Sequence, residues 1–180
     1  NPLNMPDAVC AVEAGEYLAR LIEQQDSAGG VVECVADGVP AGIGEPVFDK
    51  LDACLAKAIM SIGAVKGFEI GDGFAVAKMR GSENNDPFRI AEDGSVEKTS
   101  NHSGGILGGM SDGSQIVLRA AFKPTPSISR QQNTVNRSGE NTEIEIHGRH
   151  DPVIVPRAVV VVECMTALTI ADLLLQDRCA

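Results

Sequence analysis

The stretch "PRAVVVVECMTALTIADLLLQ", from Pro156 to Gln176, is apolar nearly all round a helical projection, so it offers water no obvious face. A helix of that kind needs cover on several sides, and the spacing predicts a buried helix lying between layers. The longest wholly apolar run within it, Ala158 to Val162, stops at Glu163. That is far short of the roughly 20 residues a bilayer demands, so no membrane partner is expected.

A chain of 180 residues has room for one domain with its own core, and residues 1–180 are read as a single domain. With 43% hydrophobic and 22% charged residues the composition is globular. The net charge of -10 argues against a nucleic-acid partner, because a polyanion needs a basic face and no dense Lys/Arg cluster occurs. The five cysteines, Cys10, Cys34, Cys54, Cys164 and Cys179, form no CxxC pair. Reduced, mostly buried thiols in a cytoplasmic protein fit this spacing better than a disulfide framework or a metal site.

Along the chain, "PDAVCAVEAGEYLARLIEQQDSAGG" reads as an amphipathic helix with Gly29-Gly30 as its stop. "VVECVADGV" alternates as a strand. Asp49 to Ile62 places Leu51, Leu55, Ala58, Ile59 and Ile62 on one helical face. "KGFEIGDGFAVAKMRG" suggests two short strands or a bulged one, and residues 81–103, polar and without period, read as a long surface excursion. "SQIVLRAAFK" and "NTEIEIHG" alternate as strands. Strands in succession with helices at the ends predict an α+β layered domain with antiparallel pairing.

Three segments carry possible chemistry. "NHSGGILGGMSDG" holds Gly104, Gly105, Gly108 and Gly109, a density that lets backbone N–H groups approach a ligand, or that simply makes tight turns. It has neither the phosphate-loop nor the dinucleotide spacing. "FKPTPSIS" presents Lys123, Thr125 and Ser127 on a segment stiffened by Pro124 and Pro126, which suits a phosphate but also an ordinary strand exit. "GRHDP" sets Asp151 beside Arg149 and His150, either as an ion pair at a helix start or as a proton-handling carboxylate.

The order and wording of these segments resemble chorismate synthase. "GVPAGIGEPVFDKLDACLAKAIMSIGAVKGFEIGDGF", "SNHSGGILGGMSDG", "FKPTPSIS" and "GRHDP" are similar to that family's C-terminal signatures, and the likeness runs over essentially the whole chain. It implies a β-α-β sandwich with antiparallel sheets, a homotetramer, and a cytoplasmic lyase of the shikimate pathway. The implied reaction is a 1,4-anti elimination of phosphate from 5-enolpyruvylshikimate 3-phosphate, giving chorismate. It requires reduced FMN, and NADP is associated with the family where the flavin is reduced.

Carried over residue by residue, the resemblance implies flavin contacts at Gly63, Ala64, Gly108, Lys123, Pro124, Thr125, Pro126, Ser127 and Arg149, and it makes Asp151 the carboxylate beside the flavin N5. Many members have Asn where Gly63 stands, so a side-chain hydrogen bond from that position is not expected here. The family's N-terminal histidine stretches and its "RSSARET" type segment do not occur in this sequence. His102, His147 and His150 are not assigned their role. The chain is therefore expected to be the C-terminal part of such an enzyme, inactive alone, with a non-catalytic flavin-binding or oligomerisation fragment as the alternative.

Overall fold

A computed structural model describes residues 1–148 and 151–179. In chain order the elements are α1 (Ala8–Glu23), β1 (Gly30–Ala36), α2 (Leu51–Met60), β2 (Val65–Ile70), a 3-10 helix at Gly73–Lys78, α3 (Gly81–Asn84), β3 (Phe88–Ile90), β4 (Val96–Lys98), β5 (Ile106–Leu107), β6 (Met110–Ser111), β7 (Ile116–Phe122), β8 (Gln132–Val135), β9 (Asn141–Ile144) and α4 (Val155–Asp177). The fold class is α+β, as the succession of strands predicts, and the three hairpins β3–β4, β5–β6 and β8–β9 are antiparallel. Contacts gather into two compact units, residues 1–31 with 122–159 and residues 32–121 with 160–180.

In the second unit a three-stranded sheet has the order β1-β7-β2. β7 lies in the middle and alternates strictly, with Ile116, Leu118 and Ala120 wholly buried and the residues between them half-buried. α2 packs on β2. Leu51, Leu55 and Ile59 fall four residues apart on one face of α2 and are each 0% exposed, so the apolar period read from the sequence is the core face.

In the first unit the Asp7 side chain caps α1 by accepting from Cys10 N at 2.8 Å. β8 and β9 pair from Gln132↔Ile144 to Val135↔Asn141, and Asn136 closes their loop by accepting from Ser138 N and Glu140 N. β9 is exposed throughout. Its alternation therefore marks a solvated hairpin and covers no core.

Four expectations need correction. α4 has the predicted extent, yet it is not buried all round: in the second unit Val162, Thr166, Ile170 and Leu173 face inward, while Val160, Val161, Leu168 and Leu175 are exposed. By length and composition alone α4 is also apolar enough to cross a bilayer, a test that core helices pass too; 28% of its most apolar window is buried. The segment after β2 is a 3-10 helix and not a second strand, because the turn at Gly71 and Gly73, both with positive φ, lets Phe74 N reach back to Glu69 Oε1 at 3.2 Å. Residues 81–103 are no structureless excursion: they form α3 and a hairpin with Arg89 paired to Glu97 at 2.6 Å. Finally, Cys10, Cys164 and Cys179 are exposed, with only Cys34 and Cys54 half-buried.

Candidate functional site

The "FKPTPSIS" segment leaves β7 in extended form within the first unit. Ser27 Oγ donates to Thr125 O at 2.7 Å, and Gln132 Nε2 donates to Pro126 O at 3.1 Å, so backbone carbonyls anchor the segment while its side chains remain available. Close approach is possible because residue 29 is glycine: a Cβ there would stand 2.4 Å from Phe122 O and 3.2 Å from the Pro124 ring. Lys123, Pro124 and Pro126 are exposed, and Thr125 and Ser127 half-exposed. Among the described residues no carboxylate pairs with Lys123, and Thr125 and Ser127 follow it on the same segment.

Asp151 borders a cleft of about 160 Å³ that it shares with Asp26, Ser27, Ser129, Gly148 and Pro152. Its Oδ2 accepts from Arg157 in the first turn of α4, and among the described residues nothing donates to Oδ1. Asp151 and Arg157 are 41% and 74% exposed, so this pair is screened and contributes on the order of 1 kcal/mol or less. Arg149 and His150 lie outside the described residues, and the pairing of Asp151 with Arg149 with them. The first unit thus brings Asp151 to a cleft lined by Ser27 and by Ser129, the last residue of the anchored segment, while residues 123–127 do not line it.

In the second unit the glycine-rich segment makes a two-residue hairpin. Leu107 pairs with Met110, and Gly108 and Gly109 between them have φ of 60° and 90°, the signs a type I′ turn demands at both positions. Three of the four glycines serve packing. A Cβ on Gly104 would meet Gly71 N at 2.4 Å, on Gly105 Gln115 O at 2.4 Å, and on Gly109 the Lys50 stem at 2.6 Å. At Gly108 no atom lies within 4 Å of a Cβ, so this glycine alone faces open space. It borders a cavity of about 530 Å³, within the usual size of a cofactor pocket, together with Lys50, Asp52, Asn84, His102 and Ser103.

Gly63 and Ala64 form the turn after α2 in the same unit. The positive φ falls on Ala64, at 71°, and not on the glycine before it. A side chain held in the left-handed region is strained by about 1–2 kcal/mol, and such positions gather at ligand sites.

Several residues around the hairpin are invisible in the motifs. Lys98, on β4, has a side chain 2% exposed, and it meets Asp112 at 2.6 Å and Asp86 at 3.5 Å. For Asp86, burial alone would raise its carboxyl. Hydrogen bonds from the Ser103 hydroxyl and N–H, His102 N and the Ser100 hydroxyl outweigh that and hold it well below the ordinary carboxylate range. Asp112 is also lowered, burial again opposing and the Lys98 and Ser114 hydrogen bonds prevailing. His102 Nδ1 lies 2.6 Å from Asp72 Oδ2, which fixes the ring at the edge of the cavity. A lone lysine between acidic residues in a polar stretch was the available signal, but only tertiary pairing distinguishes it from a solvated surface.

The chorismate synthase family model matches residues 1–175. The chain is 67% identical to the chorismate synthase of Lachnoclostridium phytofermentans over 97% of its own length and 48% of that protein's, and 58% identical to that of Methanosarcina barkeri over 98% and 48%. A crystal structure of chorismate synthase superposes with a TM-score of 0.74 at 35% identity, over 92% of this chain and 42% of the other. The chain spans about half the length of the curated relatives it matches. Fold and sequence agree: the chain belongs to the chorismate synthase family.

Proposed function

We propose that residues 1–180 are the C-terminal portion of a chorismate synthase, a cytoplasmic homotetramer that eliminates phosphate from 5-enolpyruvylshikimate 3-phosphate with reduced FMN. The observation that carries this reading is the 67% identity to a curated chorismate synthase along 97% of the chain. The local structure of the carried-over residues supports flavin contacts. Gly108 is free of packing demands, Ala64 is held in a strained turn, and Lys123 with Thr125 and Ser127 offers one cation and two hydroxyls to anionic or carbonyl oxygens. Gly63, Pro124, Pro126 and Arg149 complete the proposed set, Arg149 as a planar cation suited to an anion. NADP enters only where the flavin is reduced by the same protein.

Reduced FMN, held by these residues, would supply the electron density that loss of an allylic phosphate calls for. Asp151 takes a proton. Arg157 occupies its Oδ2 and orients the carboxylate, and Oδ1, to which no described residue donates, is the atom proposed to accept.

The test is single-turnover kinetics of the full-length protein under anaerobic conditions. Asp151→Asn retains shape, and its turnover should fall about 100- to 10,000-fold while FMN affinity changes little. Because the Asp151–Arg157 pair is exposed, a purely structural role predicts only a slight loss of stability and near-parental turnover, and that result would remove Asp151 from the mechanism. Lys123→Ala should weaken FMN binding by about 1.5–3 kcal/mol, and an unchanged titration would remove Lys123 from the site.

A further inference from the structure

Lys98 lies nearly out of water, yet the proposed chemistry assigns it nothing. Its Nζ donates to Asp112 Oδ2 at 2.6 Å, Asn101 Oδ1 at 3.0 Å and Ser103 Oγ at 3.1 Å. Three hydrogens meet three acceptors, with Asp86 Oδ2 adjacent at 3.5 Å. The acceptors are in turn held. Ser103 Oγ donates to Asp86 at 2.6 Å, Asn101 Oδ1 accepts from Gly105 N at 2.8 Å, and Asp112 Oδ1 accepts from Ser114 N at 2.9 Å. Asp112 N donates to Gly105 O at 3.0 Å.

These partners stand at the two ends of one loop. Asn101 and Ser103 lead into β5, Asp112 follows β6, and the tip between them is Gly108–Gly109. A hairpin with two residues per strand is too short to hold its own direction, and outside bonds hold its second leg: Gly109 O accepts from Leu51 N at 2.8 Å, Ser111 O accepts from Gly42 N at 2.8 Å, and Ser111 N donates to Ile43 O at 2.9 Å. The ammonium grips both legs of the loop, and in a dry, fully paired network that grip is stiff.

We infer that Lys98 is a positioning residue: by joining Asn101 and Ser103 to Asp112 it sets the Gly108 tip in its ligand-binding direction before the flavin arrives. This rests on the reading of Gly108 as a flavin contact. Without the ammonium the leg that carries Gly108 loses its tie to the anchored β6 leg, and re-ordering one or two of its backbone residues on binding weakens affinity by about tenfold or more.

The experiment is an FMN titration of the full-length protein, followed by flavin fluorescence and visible absorption, beside a thermal unfolding curve for each variant. Lys98→Met leaves Asp112 and Asp86 buried without their cation and should lower both affinity and melting temperature. The double variant K98M/D112N removes one charge of each sign, so the cluster keeps its net charge while the tether is gone. Its melting temperature should recover most of the loss, yet FMN affinity should stay about tenfold or more below the parent, with a flavin spectrum closer to that of the free cofactor.

A double variant that binds FMN within about twofold of the parent would overturn the inference, since affinity would then follow stability alone. Gly108→Ala separates the two readings. If it weakens binding while K98M/D112N does not, the flavin contact stands and the positioning role fails. If it binds as the parent does, Gly108 is no contact and both fail together. A parent protein that binds no FMN refutes the proposed cofactor and this inference with it.

Discussion

Two lysines show how differently the two units use charge. Lys98 in the second unit is surrounded by acceptors at 2.6 to 3.5 Å with 2% of its side chain exposed, whereas Lys123 in the first stands in solvent with no described carboxylate beside it. A buried cation that is fully paired has no capacity left for a ligand, and its effect is on geometry. An unpaired exposed cation has little influence on the fold and keeps its capacity for an anion. The difference explains why only the second could be read as a ligand contact from its motif: the carboxylates that neutralise Lys98, Asp86 and Asp112, come from segments 12 and 14 residues away in the chain.

The comparison can be broken most directly in the interior of the second unit. Leu55→Ala, on the fully buried face of α2, should cost about 2–5 kcal/mol in a denaturant titration, while a loss under about 1 kcal/mol would mean that the unit is not packed around α2. A smaller effect follows from Asp86. Its folded carboxyl is held below the ordinary value of 3.8, so the unfolded chain takes up the proton first as pH falls. The stability it contributes is present above the unfolded value and is lost progressively below it, with a slope of at most about 1.4 kcal/mol per pH unit. Asp86→Asn should flatten the decline of the unfolding midpoint between about pH 4 and pH 2. An equal slope in parent and variant would place the acid sensitivity elsewhere. The smallest effect belongs to Leu168, which is 65% exposed on α4: Leu168→Ala should change the stability of this chain by about 0.5 kcal/mol or less. A loss of several kcal/mol would show that the outer face of α4 is covered in solution.

α2 and β7 were legible because a local period coincides with a tertiary face. Leu51, Leu55 and Ile59 are four apart, and Ile116, Leu118 and Ala120 are two apart. α4 was legible as a helix and misread in its environment, since an apolar surface specifies a wish for cover and not its presence. β3, β4 and β8 were missed because each is only three or four residues long and is defined by its partner strand. At the site, the motifs led to Gly108, Lys123 and Asp151. They could not reveal that Ala64, next to a glycine, takes the left-handed conformation, because the turn after Ile62 sets it.

The contrast among the four loop glycines bears on how variation at these positions should be interpreted. At Gly104, Gly105 and Gly109 the chain's own atoms forbid a Cβ, so an unvarying glycine in any set of relatives would report packing and carry no information about a ligand. Position 108 is different. Its φ of 60° is one that Asn and Asp adopt readily, and the space beside it is open, so the fold itself permits three residue types there. Exclusion of Asn and Asp from that one position, in a library selected only for function, would be the imprint of the bound molecule.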